Sequence, residues 1–457
     1  MHPSAFSVSN RKIDPSRRRA APLKPDGTPN DNDRVETGPT DLAFDEYAAL
    51  GITPPDLPAL REYRLGRLRH ELRRRDYAGL LMFDPLNIRY ATDSTNMQLW
   101  TAHNLARACY VAADGPMILW DFHGCDHLSA HLPLIDEVRH GAGFFYFLTA
   151  ERTDDVARRF AREIDQLMRD HSGANRRLAV DKIEFDGVDA LRDLGVELRS
   201  GQQITELARV IKNENEVNAM RCAIASCEAA CNEMRGLMTR ERLEAGLTEV
   251  DLWAMLNHGN HVRGGEWIET RILSTGPRTN PWMQEAGPRI VKPGELLAFD
   301  TDMVGTYGYC CDISRTWLIG EEAYGLEPTP EQKRLYRVAH EHVMTNMELL
   351  RPGISFRELT FGGHQLPAEF VPQRYGVKYH GIGLCDEYPA IKYPEDYEEG
   401  EFPEEYGYLQ PGMTLTAEVY IGAVGGTEGV KLEQQILITE NGYEDLNALP
   451  YEDSFLR

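Results

Sequence analysis

The sequence predicts two folded domains, a smaller α/β domain followed by a larger α+β domain whose helices cover a curved, largely antiparallel sheet. Three observations point there. The chain has 457 residues, more than one core usually organises, since domains run about 100 to 200 residues. Short β-rich runs alternate with helical periodicity through the first half, whereas later strands gather in groups. Between them, Val217, Met220, Ile224, Cys227, Cys231 and Met234 step by three and four, the signature of one long amphipathic helix.

Residues 1–45 read as an extended arm, interrupted by Pro15, Pro22, Pro25, Pro29 and Pro39 and poor in large apolar side chains. Its Arg17-Arg18-Arg19 run reads as a solvated or subunit-contacting segment. Residues 46–205 form the smaller domain. Leu65, Leu68 and Leu72 mark a helix, and strands fall at 79–83, 108–112, 117–122 and 178–181. Val156, Phe160, Ile164 and Leu167 share one face of a helix over 154–170.

Residues 206–457 form the larger domain. Strands are expected at 271–273, 296–299 and 316–319. Thr329 as N-cap, Pro330 in the first turn and Gln332 reaching back start a helix that runs until Pro352-Gly353. Ser355 with Glu358 repeats the capping signal, and 413–421 and 431–438 are β-rich. The stretch 386–405 holds nine acids against one lysine and reads as a solvated loop, a lid or cation-attracting segment being its functional alternative.

Composition excludes several classes of function. Hydrophobic residues make up 42% and charged residues 26%, as in ordinary globular proteins. The net charge of −23 repels phosphate backbones and anionic lipid, so neither nucleic acid nor membrane is expected as a partner. No apolar run approaches the ~18 to 20 residues of a membrane span. The eight cysteines form no C-x-x-C pair and the first residues carry no signal-peptide pattern, so a reducing cytoplasm is expected. Cys227 and Cys231 read as packing residues.

The chemistry concentrates in five separated segments. Asp300 and Asp302 follow Leu297-Ala298-Phe299, and Asp312 stands in Cys310-Cys311-Asp312-Ile313-Ser314 beyond a turn with Gly305 and Gly308. A hairpin would bring these aspartates together. His380 lies in Tyr379-His380-Gly381-Ile382-Gly383, Glu418 in Leu415-Thr416-Ala417-Glu418, and Glu433 in Val430-Lys431-Leu432-Glu433. Acids in strand-like, apolar surroundings need a shared partner, because buried charge is costly unless paired or metal-bound. Carboxylates with one imidazole make a hard site suited to Mn, Fe, Co or Zn.

On these motifs, and on Leu207-Ala208-Arg209-Val210-Ile211-Lys212 with Glu216 and Arg221, residues 207–446 resemble the pita-bread family of methionine aminopeptidase, prolidase and creatinase. Residues 60–200 resemble the creatinase-type N-terminal domain. The implied fold is α+β, with a C-terminal pita-bread catalytic domain and a smaller α/β creatinase-type N-terminal domain. The chain departs from the peptidases in three places. Their two aspartates stand eleven residues apart, whereas Asp302 to Asp312 is ten and Asp300 to Asp312 is twelve. The segment from Ser274 to Trp282 lacks their histidine. In Cys385-Asp386-Glu387-Tyr388-Pro389, Asp386 takes the place of their second histidine.

With Arg11-Lys12-Ile13-Asp14-Pro15-Ser16 and Asn30-Asp31-Asn32-Asp33-Arg34-Val35-Glu36, those departures resemble the dimethylsulfoniopropionate lyases of DddP type. The resemblance implies that Asp300, Asp302, Asp312, His380, Glu418 and Glu433 hold metal, iron in a dinuclear site, with Mn, Co or Zn as alternatives. It makes Asp386 the general base and Trp100 and Tyr375 substrate contacts, in a homodimer. The implied reaction is β-elimination of a small-molecule substrate to dimethyl sulfide and acrylate. Two rivals stand beside it: a prolidase-type dinuclear metallohydrolase, which the missing second histidine disfavours, and a binding protein on an inactive pita-bread domain, which the complete acid set disfavours.

Overall fold

The computed structural model describes residues 38–457. The expected arm lies outside the described residues up to residue 37. Asp56–Arg209 form one compact unit, and Gly38–Pro55 join Val210–Arg457 in the other. Residues 46–55, expected in the smaller domain, therefore belong with the larger unit.

The smaller unit is built on six strands: β1 (Gly79–Met82), β2 (Ala108–Ala112), β3 (Met117–Asp121), β4 (Glu137–His140), β5 (Arg177–Val180) and β6 (Glu197–Ser200). Their order is β4-β3-β2-β1-β5-β6. β1 pairs antiparallel with β2 and parallel with β5, so the sheet is mixed. β1, β2 and β3 are buried along their whole length, as central strands covered on both faces are. Helix Thr153–Ser172 buries the face carrying Val156, Phe160, Ile164 and Leu167 against this core.

In the larger unit, helix Glu214–Gly236 starts at a capping box in which Asn213 and Glu216 satisfy each other's backbone N–H groups. Cys227 and Cys231 are fully buried on it, in the core with Phe299, Trp317 and Leu256. Eleven further strands follow: β7 (Trp267–Ile268), β8 (Leu273–Thr275), β9 (Leu296–Phe299), β10 (Met303–Val304), β11 (Cys310–Cys311), β12 (Arg315–Leu318), β13 (Val377–Ile382), β14 (Asp386–Lys392), β15 (Thr414–Ile421), β16 (Val430–Thr439) and β17 (Gly442–Asp445). They form sheets β11-β10-β7, β12-β9-β8 and β14-β13-β15-β16-β17, antiparallel throughout. β12 is stitched to β16: Thr316 Oγ1 exchanges hydrogen bonds with both backbone groups of Lys431, and Arg315 donates to the Glu433 carbonyl.

Four local expectations are corrected. Helix Pro330–Met347 ends before Pro352, because bonds from Leu349 to Asn346 and from Leu350 to Met347 tighten the chain into a three-residue turn. The strand expected at 271–273 is β8, displaced toward the residues that pair with Leu297 to Phe299. Residues 386–392 are β14, not loop: Glu387 is buried against Lys212 at 2.8 Å, and Glu387, Pro389 and Ile391 form the buried face of the strand. Helix Asp41–Leu50 lies partly in the expected arm, where Tyr47 Oη meets Ser226 Oγ at 3.0 Å and Thr306 Oγ1 at 2.8 Å. Among the described residues, no helix is long and apolar enough to cross a membrane.

Candidate metal centre

The first three acids sit where a hairpin ladder is interrupted. Phe299 pairs with Arg315 and Met303 with Cys311, leaving Asp300-Thr301-Asp302 opposite Asp312-Ile313-Ser314 without ladder pairing. Thr301 spans the gap, its Oγ1 donating to the Cys311 carbonyl and accepting from the Ile313 N–H. The aspartate side chains are thereby released from the pleat. Asp302 adopts φ +35°, a left-handed conformation that a non-glycine residue holds only where its surroundings enforce it. Thr270 Oγ1 donates to its Oδ2 at 2.6 Å.

His380 stands on β13 where the register with β14 slips between His380 and Gly381, a bulge that re-aims the ring. Gly381 is required there, since a Cβ would lie 2.3 Å from the Tyr388 carbonyl oxygen. His380 Nδ1 lies 3.0 Å from the Gly381 carbonyl, which only accepts. In the neutral ring, Nδ1 therefore carries the proton and Nε2 is left with its lone pair. Nε2 faces Glu433 Oε1 at 3.3 Å, Glu418 Oε1 at 3.5 Å and Asp312 Oδ2 at 3.6 Å.

Glu418 and Glu433 are register partners on β15 and β16. Lys431, fully buried, places Nζ 2.8 Å from Glu418 Oε2, 3.0 Å from Glu433 Oε2 and 3.1 Å from Asp300 Oδ2. Ser314 Oγ lies 2.8 Å from the same Nζ. On the other side, Asp312 Oδ1, Glu418 Oε1 and Glu433 Oε1 are buried with no hydrogen-bond partner among the described residues.

The electrostatics follow. Burial opposes charge on His380, but the approach of Glu433 and the charges of Asp386, Glu418 and Glu433 outweigh it and raise the imidazole to about 10. Burial, then Asp300, raises Asp302 to about 8. Burial also raises Glu418 to about 8 despite Lys431, and Asp312 well above the carboxylate range. Burial acts the same way on Glu433, but Lys431 and His380 overcome it and hold that carboxyl below its usual value.

Three overlapping groups bring ligand atoms within 4.8 Å of one another: Asp300, Asp302 and Asp312; Asp312, His380 and Asp386; His380, Glu418 and Glu433. Atoms ligating one ion at ~2.1 Å stand roughly 3.0 to 3.4 Å apart, close to the spacing around His380 Nε2. The orphaned oxygens, with Nε2 once a bound cation displaces its proton, fit a hard divalent cation, and an oxygen-rich set with one imidazole suits Mn, Fe, Co or Zn.

Asp386 begins β14 with 60% of its side chain exposed, its Oδ1 3.7 Å from His380 Nδ1. Lost hydration raises its carboxyl above the usual range, His380 opposing and Glu433 and Asp300 adding to the rise. The Tyr375 ring centroid lies 4.9 Å from Lys431 Nζ, and the Trp282 ring lies 5.7 Å from it. Trp100 belongs to the smaller unit, where it packs on Phe122 and Phe145 and lines a cavity of about 360 Å³ with Phe147, Arg152 and His140. Sequence reasoning missed Lys431, Ser314 and Trp282 as neighbours of the acids. The signal for Lys431 was its position two residues before Glu433, on the same face of a strand.

The profile of Metallopeptidase family M24 matches residues 218–440. Dimethylsulfoniopropionate lyase DddP of Roseovarius nubinhibens is 49% identical over 447 residues, 98% of each chain. The lyase of the same name from Roseobacter denitrificans is 48% identical over 452 residues, again 98% of each. Among solved structures, an Xaa-Pro dipeptidase from Bacillus anthracis superposes with TM-score 0.65 at 20% identity, covering 85% of this chain and 98% of that one, a likeness of fold. The chain belongs to the family of the DddP dimethylsulfoniopropionate lyases, on the pita-bread fold of Metallopeptidase family M24.

Proposed function

We propose that the protein is a carbon–sulfur lyase that cleaves dimethylsulfoniopropionate to dimethyl sulfide and acrylate. The observation that carries this reading is Asp386, a carboxylate beside the acid cluster at the position where peptidases of the family keep a second histidine. It is solvent-accessible and makes no contact with Lys431 among the ion pairs of the centre. Near identity in length with two relatives named for this activity supports the same conclusion.

Asp300, Asp302, Asp312, His380, Glu418 and Glu433 would hold the metal, iron in a dinuclear site in this reading. When bound, it supplies Lewis acidity that draws electron density from the substrate carboxylate and acidifies the neighbouring carbon. Asp386 takes the proton from that carbon, the C–H electron pair becomes the new C=C bond, and the C–S pair leaves on sulfur as neutral dimethyl sulfide. The products are acrylate, dimethyl sulfide and one proton on Asp386, so charge and atoms balance without water. Tyr375 beside the centre, and Trp100, offer aromatic faces to the sulfonium cation. The working form is a cytoplasmic homodimer.

The test is incubation of the purified protein with dimethylsulfoniopropionate and, separately, with an X-Pro dipeptide. Dimethyl sulfide and acrylate with no free proline is the expected result. Free proline without dimethyl sulfide would establish a hydrolase instead.

A further inference from the structure

We propose that Lys431 is the positioning residue of the metal centre. Its ammonium holds one oxygen of each of Asp300, Glu418 and Glu433, so that the opposite oxygens of the two glutamates, with Asp312 and His380, are the ones presented to metal. The proposal rests on the metal-centre reading above.

The contacts sort cleanly. Lys431 Nζ touches Asp300 Oδ2, Glu418 Oε2 and Glu433 Oε2, while the oxygens facing His380 Nε2 are Glu418 Oε1, Glu433 Oε1 and Asp312 Oδ2. No carboxylate oxygen belongs to both sets. Ser314 Oγ completes the surroundings of Nζ and stands 2.7 Å from Asp300 Oδ1 and 2.8 Å from Glu433 Oε2, linking two of the held acids again. The rings of Tyr375 and Trp282 flank the ammonium at 4.9 and 5.7 Å. A carboxylate turns freely about its last torsion unless a partner fixes it. Here one cation fixes three of them at once.

The charge count agrees. Asp300, Asp302, Asp312, Glu418 and Glu433 carry five negative charges when ionised; with His380 neutral, as a metal ligand must be, Lys431 leaves four of them to be balanced among the described residues. The remaining four match two divalent ions. A lysine is therefore built in where a neutral side chain would leave the cluster one charge out of balance, and it lies on the side of the acids away from the orphaned oxygens.

The experiment uses the full chain loaded with manganese(II) alone, then equilibrated against increasing chelator, with bound metal read by elemental analysis and folding by circular dichroism. Lys431→Met keeps an unbranched side chain one atom shorter and removes the charge. It is expected to fold and to release manganese at a chelator concentration at least tenfold lower than the wild-type protein. Lys431→Arg keeps the charge but cannot reproduce the three contacts from one nitrogen, and should fall between the two. Wild-type retention by a folded Lys431→Met would overturn the proposal. Should that variant fail to fold, Lys431→Arg decides: weakened retention supports the proposal and wild-type retention overturns it. Because bound metal is measured and not dimethyl sulfide, a wrong substrate assignment leaves the outcome readable.

Discussion

Glu418 and Glu433 stand directly opposite each other on neighbouring strands, and each commits one oxygen to Lys431 while turning the other toward His380 Nε2. Like charges paired across a ladder repel, and buried ones strongly, so the arrangement persists only with cations on both sides. Glu418→Ala or Glu433→Ala should therefore release bound metal and abolish dimethyl sulfide production. Elemental analysis of the purified variants checks this, and full metal content in either would remove that glutamate from the ligand set.

Asp386 should separate chemistry from metal binding. Asp386→Asn is expected to keep its metal and lose about 10² to 10⁴ in rate, the usual cost of a positioned base. The base works only when deprotonated. In the metal-free chain lost hydration raises its carboxyl, with His380 opposing and Glu433 and Asp300 adding; wild-type kcat should fall as pH drops far enough to protonate it. Metal loss in Asp386→Asn would recast the residue as a ligand.

Trp100 tests the substrate contacts. An aromatic face against a desolvated sulfonium is worth ~1 to 2 kcal/mol, so Trp100→Ala should raise KM about tenfold with kcat little changed. Its packing on Phe122 and Phe145 supplies the competing outcome. If Trp100→Phe and Trp100→Ala both unfold the protein, the residue is core and the contact is withdrawn.

His342 predicts a stability change with pH. Its Nδ1 lies 3.2 Å from His364 Nδ1 and its Nε2 3.4 Å from Tyr393 Oη. Burial, then His364 and Lys378, hold the imidazole well below its ordinary 6.5. The unfolded chain thus takes up a proton near 6.5 that the folded chain refuses, so stability declines as pH falls below that value. His342→Gln removes this contribution. The Tm deficit of the variant relative to wild type should narrow from neutral pH to about pH 5, and a constant deficit would refute the assignment.

The fold was legible wherever a local rule acted alone. The capping boxes at Thr329 and Ser355 start helices as their spacing requires, β9 falls on an apolar run, and β15 and β16 fall on the β-rich segments. The acids and His380 come together because each stood at a strand or strand end, where charge calls for a partner. Lys431 was hidden because its side chain is explained only when Asp300 and Glu418, on two other segments, are brought beside Glu433 of its own strand. Helix Asp41–Leu50 was hidden because Tyr47 is buried only by residues far along the chain. β14 was hidden because Asp386 and Glu387 open an acid-rich stretch, and Glu387 finds its partner only when Lys212 is placed against it.

Gly38–Pro55 precede the smaller unit in sequence yet belong to the larger one. Glu46 waits for Arg263, 217 residues later, to form its paired hydrogen bonds. At ~5 to 20 residues per second of synthesis, that interval is roughly ten to forty seconds. During it, Asp56–Arg209 emerge complete and can fold, while the helix carrying Tyr47 has no surface to join. The nascent chain thus finishes its second body first and closes the other only when β16, with Lys431 and Glu433, has left the ribosome. A translation arrest before that point would leave Asp300 and Glu418 without the lysine that bridges them.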